Sequence, residues 1–156
     1  MPLLTRSIFC TLFCVGAIMP TQAQPGGLSA LDRQQRPVPL PLDEAFPWYV
    51  SEPAPGSWKV TWDPAPGHYL YRHAFAFSLQ RNPDSQPEPL AFDLADGERK
   101  TDQFFGDIQA YYTTVTVTLD LPGGLPDGSR LWIEYQGCAD WGFCYPPQRQ
   151  GFSALP

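Results

Sequence analysis

Residues 111–121 read Tyr111-Tyr112-Thr113-Thr114-Val115-Thr116-Val117-Thr118-Leu119-Asp120-Leu121. Tyr111, Thr113, Val115, Val117, Leu119 and Leu121 fall on one side of a two-residue period, and Tyr112, Thr114, Thr116, Thr118 and Asp120 on the other. That alternation is the mark of a strand with one face against a core, and its β-branched content suits a sheet. A single strand is therefore predicted over 111–121. Downstream, the turn residues Pro122 to Gly128 lead to a second alternation at Leu131, Ile133 and Tyr135. Upstream, Trp58-Lys59-Val60-Thr61-Trp62 alternates in the same way, and Asp63-Pro64-Ala65-Pro66-Gly67 is a turn. From His68 to Leu79 the set Tyr69, Tyr71, His73, Phe75, Phe77 and Leu79 shares one face, which predicts another strand, bent in its middle. Residues 82–89 read as a proline-rich loop, and 93–106 as a polar loop with Phe104 and Phe105 near its end. No window carries helical periodicity with caps. Short strands separated by turn signals predict an all-β fold, an antiparallel β-sandwich of immunoglobulin type, with no internal repeat and no second domain.

The first 23 residues have a different character. Arg6, an apolar run from Ile8 to Met19 and the small-residue site Thr21-Gln22-Ala23 form a secretory signal peptide over residues 1–23. The run is too short for a membrane helix, which needs roughly 20 apolar residues, and no later segment is apolar enough to insert stably in a bilayer. Neither Cys10 nor Cys14 follows the small residues that lipid attachment favours. Residues 24–45 read as an extended, proline-rich arm and 46–156 as the domain. Cleavage after Ala23 removes Arg6 and no acid, taking the net charge from −6 to −7. Nucleic-acid binding needs a basic patch, and here the Lys and Arg residues are interleaved with Asp and Glu, so no nucleic-acid partner is expected.

Export leaves Cys138 and Cys144 as the cysteines of the mature chain, in a compartment where disulfides persist. A bridge between them would close a loop of about seven residues and contribute roughly 2 kcal/mol in the chain-entropy model, a modest staple for a domain of this size. The spacing alone is compatible with a structural bridge, a redox couple, or part of a metal site with His68 and His73, although tetrahedral zinc usually takes closer cysteine pairs. His73 reads as a core or rim histidine. Exchange chemistry needs an accessible sulfur, a nearby resolving thiol and a controlled thiolate fraction. The charge of Asp140, between the cysteines, is expected to disfavour a thiolate. No nucleophile elbow surrounds a serine, and phosphate-binding glycine loops are absent.

The segment Tyr135-Gln136-Gly137-Cys138-Ala139-Asp140-Trp141-Gly142-Phe143-Cys144-Tyr145-Pro146-Pro147 resembles the active-site segment of the N-terminal periplasmic domain of the DsbD thiol:disulfide interchange proteins. Tyr69-Leu70-Tyr71-Arg72 resembles the strand beside the cysteines in that family, and Asp102-Gln103-Phe104-Phe105-Gly106 its cap loop. Gln103 departs from the acidic residue of the family pattern. The resemblance implies an immunoglobulin-like domain in the periplasm that passes reducing equivalents by thiol-disulfide exchange. It makes Cys144 the residue that forms the mixed disulfide and Cys138 the one that resolves it. Phe104 becomes the cap, with Asp102, Tyr69 and Tyr71 lining the site. Phe105, Trp141, Phe143 and Tyr145 are candidate docking residues. No cofactor is expected, because the electrons reside on sulfur. The expected partners are thioredoxin-like periplasmic proteins, either disulfide isomerases or cytochrome c maturation factors, together with a separate membrane thiol reductase. DsbD proteins continue into membrane and thioredoxin-like domains where this sequence stops at Pro156, so a stand-alone version is expected. The competing class is a non-enzymatic immunoglobulin-like interaction module with a structural disulfide.

Overall fold

The computed structural model describes residues 37–153. The predicted signal peptide over residues 1–23, with Cys10 and Cys14, and residues 24–36 of the arm lie outside the described residues. The described part of the arm ends in one helical turn, α1 (Leu42–Ala45), in place of extended chain. Ala45 and Phe46 are buried at its end.

Among the described residues, twelve antiparallel strands follow in three sheets, the immunoglobulin-type sandwich that the alternation predicts. The first sheet pairs β1 (Trp48–Ala54) with β2 (Ser57–Trp62) and β2 with β8 (Val115–Asp120). The third joins β12 (Gln148–Phe152), β9 (Arg130–Tyr135), β4 (Ala76–Gln80) and the two-residue β5 (Glu88–Pro89). The inward residues of these two sheets form the main core: Val60 and Trp62 from β2, Val117 and Leu119 from β8, Phe77 from β4, and Leu131, Ile133 and Tyr135 from β9. Trp62 is the hub, with Phe75 at 4.9 Å and Tyr135 at 5.5 Å between ring centroids, both edge-on. Among the described residues, no helix is long and apolar enough to cross a membrane.

The second sheet carries the cysteines. Its order is β11 (Phe143–Cys144), β10 (Gly137–Ala139), β3 (His68–Tyr71), β7 (Gly106–Tyr111) and β6 (Glu98–Asp102). Three expectations change here. The run from His68 to Leu79 does bend in its middle, but the bend is a 3-10 turn at Arg72–Ala74 that hands the chain from the second sheet to the third. The predicted strand over 111–121 is likewise two strands, because Tyr111 ends β7 while Val115 begins β8 in another sheet. At the second switch Tyr111 and Val115 both pack in the main core, so the alternation carries through it; at the first, Tyr71 belongs to the cluster around Cys138 and Phe75 to the main core, and only the spacing of apolar residues is continuous. The stretch read as a polar loop contains β6 and the first residue of β7. Glu98-Arg99-Lys100-Thr101-Asp102 lacks apolar alternation because β6 is an edge strand, held through its backbone pairing with β7.

Candidate active site

Register decides which side chains meet the sulfurs. Residues directly opposite in a sheet share a face, and the pairs Cys144–Cys138, Cys138–Tyr69, Tyr71–Ala110 and Lys100–Ile108 carry one face across all five strands. Because side chains alternate along a strand, Tyr69 and Tyr71 look toward the sulfurs while His68 and Leu70 look away. Two packing clusters express this division. Leu70 joins the main core, and Tyr69, Tyr71, Ile108, Ala110 and Cys138 form a smaller one, with Cys144 packed against it.

Cys138 and Cys144 form a disulfide across the β10–β11 hairpin. Two glycines make the hairpin possible. Gly142 has φ 91° in the turn, a left-handed conformation that favours glycine. A side chain at Gly137 would strike the Phe46 ring and the Tyr69 carbonyl oxygen, so the absence of a Cβ lets β10 lie close to β3. The two cysteines differ in access: Cys138 is 0% exposed, whereas Cys144, on the edge strand, is partly open to solvent.

Behind the bridge the Tyr71 hydroxyl lies 3.0 Å from Cys138 Sγ and 3.7 Å from Cys144 Sγ. Its proton goes to Asp102 Oδ2, which also accepts from the Tyr69 hydroxyl at 3.1 Å. A hydroxyl has one proton to give, so toward sulfur Tyr71 presents its oxygen lone pairs. Asp102 Oδ1 accepts the backbone N–H groups of Phe104 and Phe105 at 2.9 and 2.7 Å. One carboxylate thus builds the turn that links β6 to β7 and anchors both tyrosines, and Asp is suited to the task because its side chain bonds backbone just ahead of it. Burial pushes the Asp102 carboxyl up, but the hydrogen bonds from Tyr71, Phe105, Phe104 and Tyr69 outweigh it and hold the group below the usual carboxylate range. Burial, and then the hydrogen bond to Asp102, push the Tyr71 phenol well above its ordinary value.

Asp140, in the hairpin turn, has different company. Lys100 Nζ lies 2.7 Å from its Oδ1, and the Tyr112 hydroxyl donates to the same oxygen at 2.7 Å. The ammonium also hydrogen-bonds the Tyr112 hydroxyl and sits 3.9 Å from the centroid of the Tyr69 ring. The Asp140 charge, which the sequence places between the cysteines, is thus paired: a cation from β6 reaches across the sheet to it. Partial burial pushes the Asp140 carboxyl up, but hydrogen bonds to Lys100 and Tyr112 and the Lys100 charge bring it below its usual range. Lys100 carried no signal in the sequence because β6 was hidden in an apparent loop, and Tyr112 read only as an outward residue of the strand predicted over 111–121.

Phe104 and Phe105 lie in the β6–β7 turn, each 50% exposed. The Phe105 ring packs edge-on against Tyr71 at 5.0 Å and against His73 at 4.9 Å. His73 is exposed rather than core, because the 3-10 turn lifts it from the strand pattern. Trp141 and Phe143 stack at 5.5 Å and are half-buried on the hairpin. Tyr145, read as a docking candidate, is instead buried, its hydroxyl donating to the Leu40 carbonyl at 2.8 Å, so it fastens the preceding segment to the domain. His68 packs against Phe46 and Tyr145 on the face turned away from the sulfurs, so the two histidines do not converge on the cysteines. Among the described residues, no cluster of three or more His, Cys, Asp or Glu is arranged to hold a metal.

The sequence matches the family described as thiol:disulfide interchange protein DsbD, N-terminal, over residues 36–156. It is 33% identical over 117 residues to the DsbD protein of Vibrio cholerae and 36% identical over 131 residues to DsbD 2 of Pseudomonas aeruginosa. These alignments cover 75% and 83% of the chain but 18% and 21% of the relatives, so the chain spans about a fifth of their length. The fold is similar to the DsbD N-terminal domain of Neisseria meningitidis in its reduced form, with TM-score 0.63 and 28% identity over 72% of this chain and 86% of that one. A structure of the complex between the DsbD and PilB N-terminal domains of that organism matches with TM-score 0.57 and 28% identity, covering 72% of this chain and 84% of that one. A disulfide hairpin backed by two tyrosines and an aspartate, in a sequence that matches these proteins across its sandwich, leaves one assignment: the chain belongs to the family of DsbD N-terminal domains.

Proposed function

We propose that the chain is a periplasmic thiol-disulfide exchange domain that takes reducing equivalents from a membrane thiol reductase and passes them to thioredoxin-like partners through the Cys138/Cys144 couple. The observation that carries this reading is the unequal burial of two bonded sulfurs in one short hairpin. A partner can reach Cys144, whereas Cys138 is enclosed by Tyr69, Tyr71 and Ala110 within hydrogen-bonding distance of a phenol oxygen.

In the reduced domain the Cys144 thiolate attacks a partner disulfide. One partner sulfur leaves as a thiolate and takes up a proton, and a mixed disulfide joins Cys144 to the other. The Cys138 thiolate then attacks Cys144 Sγ, restoring the internal bridge and releasing the second partner thiol. Two electrons leave the domain, with two protons delivered to the partner's sulfurs. Six residues of separation keep the resolving sulfur at hand, so the mixed disulfide is short-lived. Phe104 and Phe105 serve as the cap that keeps small oxidants from the sulfurs until a partner surface displaces it. Trp141 and Phe143, stacked beside the accessible sulfur, supply apolar docking area. The complex of the Neisseria meningitidis DsbD domain with the PilB N-terminal domain supports a folded protein as the partner.

The test is a trap. A reduced Cys138→Ala domain mixed with an oxidised thioredoxin-fold protein should accumulate a covalent adduct through Cys144, and Cys144→Ala should give none. The bridge should also have a reduction potential above about −300 mV, below which structural disulfides typically lie. A bridge inert toward such partners, with a potential below that value, would identify a structural staple in an interaction module.

A further inference from the structure

Two carboxylates attend the disulfide, and one cation answers one of them. Asp102 is anchored by four hydrogen bonds from neutral donors, while Asp140 lies in the turn between the two cysteines, 48% exposed, with Lys100 as its ion-pair partner. The groove between the β6 strand and the hairpin is lined by Tyr69, Asp102, Gln103, Asp140 and Trp141 around Lys100, its one basic side chain. Lys100 is not a loosely solvated surface lysine. Its stem crosses the face of the sheet and its ammonium is fixed by the Tyr69 ring, the Tyr112 hydroxyl and the Asp140 carboxylate together. The Tyr69 and Tyr112 rings that hold it also pack on each other, 5.2 Å apart.

Resting on the exchange reading above, we propose that Lys100 is a positioning residue for that reaction: it offsets the Asp140 charge and pins the hairpin turn, so that the Cys144 thiolate forms without a bare carboxylate beside it. A negative charge near sulfur disfavours the thiolate and a positive charge favours it. Without Lys100, the thiolate would share its surroundings with two unopposed acids, Asp102 and Asp140. The other titratable groups packed around the hairpin are the phenols of Tyr69, Tyr71, Tyr112 and Tyr145, protonated at neutral pH, and His68, on the far face of β3 with Tyr145. His73 stands beside Tyr71, beyond the Phe105 ring. Lys100 is thus the fixed positive charge on the sulfur-bearing face.

The experiment follows the pH dependence of Cys144 alkylation by iodoacetamide in the Cys138→Ala background, where one thiol reports. Lys100→Met should move the midpoint up by about half to one pH unit, a roughly three- to tenfold slower reaction at neutral pH. Lys100→Arg should keep the parent midpoint. Adding Asp140→Asn to Lys100→Met should bring the midpoint back, which a purely structural role for the lysine would not do. Coincident midpoints for the parent and Lys100→Met, or no return in the double variant, would overturn the proposal. Should Lys100→Met fail to fold, Asp140→Asn alone decides: a lower midpoint supports the proposal, and an unchanged or higher one overturns it. Failure here is distinct from failure of the exchange reading, because whether the parent bridge reacts with a thioredoxin-fold dithiol is measured separately and without these substitutions.

Discussion

The main core and the cluster around the disulfide are both built from aromatic rings, yet they use them differently. Between the first and third sheets Trp62, Phe75, Phe77 and Tyr135 meet edge to face, and their contribution is buried apolar area. Around the bridge Tyr69 and Tyr71 also meet edge to face, at 5.3 Å, but their hydroxyls converge on Asp102 and one of them touches sulfur. In the first region a ring fills space; in the second it positions a polar atom in a dry setting. Stability should therefore depend most on the first region, and the chemistry of the sulfurs on the second.

Trp62→Ala should be the most damaging change for the fold. The side chain is fully buried at the junction of the two sheets, and emptying such a site costs about 3–5 kcal/mol. Urea denaturation measures the loss, and the exchange rate per folded molecule should remain that of the parent. A changed rate in the folded fraction would mean that the two regions are not separable.

Asp102→Asn should come next, at about 2–3 kcal/mol, because it removes the charge that accepts two buried phenol protons and two turn N–H groups. The pH dependence supplies a sharper signature. The folded-state carboxyl lies below its ordinary value, so its contribution is present above the unfolded-state range near about pH 4 and is lost as pH falls through the folded-state value. The parent and Asp102→Asn should differ at neutral pH and converge in acid. Curves that stay parallel down to acid would show that the ionised form is not what stabilises the site.

The same contrast explains what could be read from the residues alone. The sandwich was legible because Trp58 to Trp62, Val115 to Leu121 and Leu131 to Tyr135 alternate against a core, and burial leaves a period in the sequence. The bend near Arg72–Ala74 was legible but the changes of sheet there and at 112–114 were not, since the two-residue period of the sequence runs on through both, although the in-phase residues His73 and Thr113 are exposed. The edge strand β6 was invisible for the opposite reason: its five residues are polar and its pairing is carried by the backbone. At the site, Cys138, Cys144, Tyr69, Tyr71 and Asp102 emerged through resemblance of three short segments, and the fold brings all five together. Lys100 and Tyr112 did not, because their importance lies in a contact with Asp140 across 40 and 28 residues of chain. No local pattern encodes that contact.

The turn between β6 and β7 offers the finest division, since its two phenylalanines are equally exposed but differently supported. Phe105 leans on Tyr71 and His73, whereas among the described residues Phe104 has no aromatic ring partner. Burial of half a phenylalanine is worth about 1 kcal/mol, so Phe105→Ala should show a small stability loss and Phe104→Ala a smaller one by denaturation. Their effects on chemistry should not follow that order. If both rings shield the bridge, each substitution should raise the rate at which a small disulfide oxidises the reduced domain, and the double substitution should raise it further. An unchanged rate in Phe104→Ala together with a raised one in Phe105→Ala would assign the cap to the ring that rests on Tyr71. Unchanged rates in both would remove shielding from the turn altogether, leaving Asp102 there to hold the two tyrosines and nothing more.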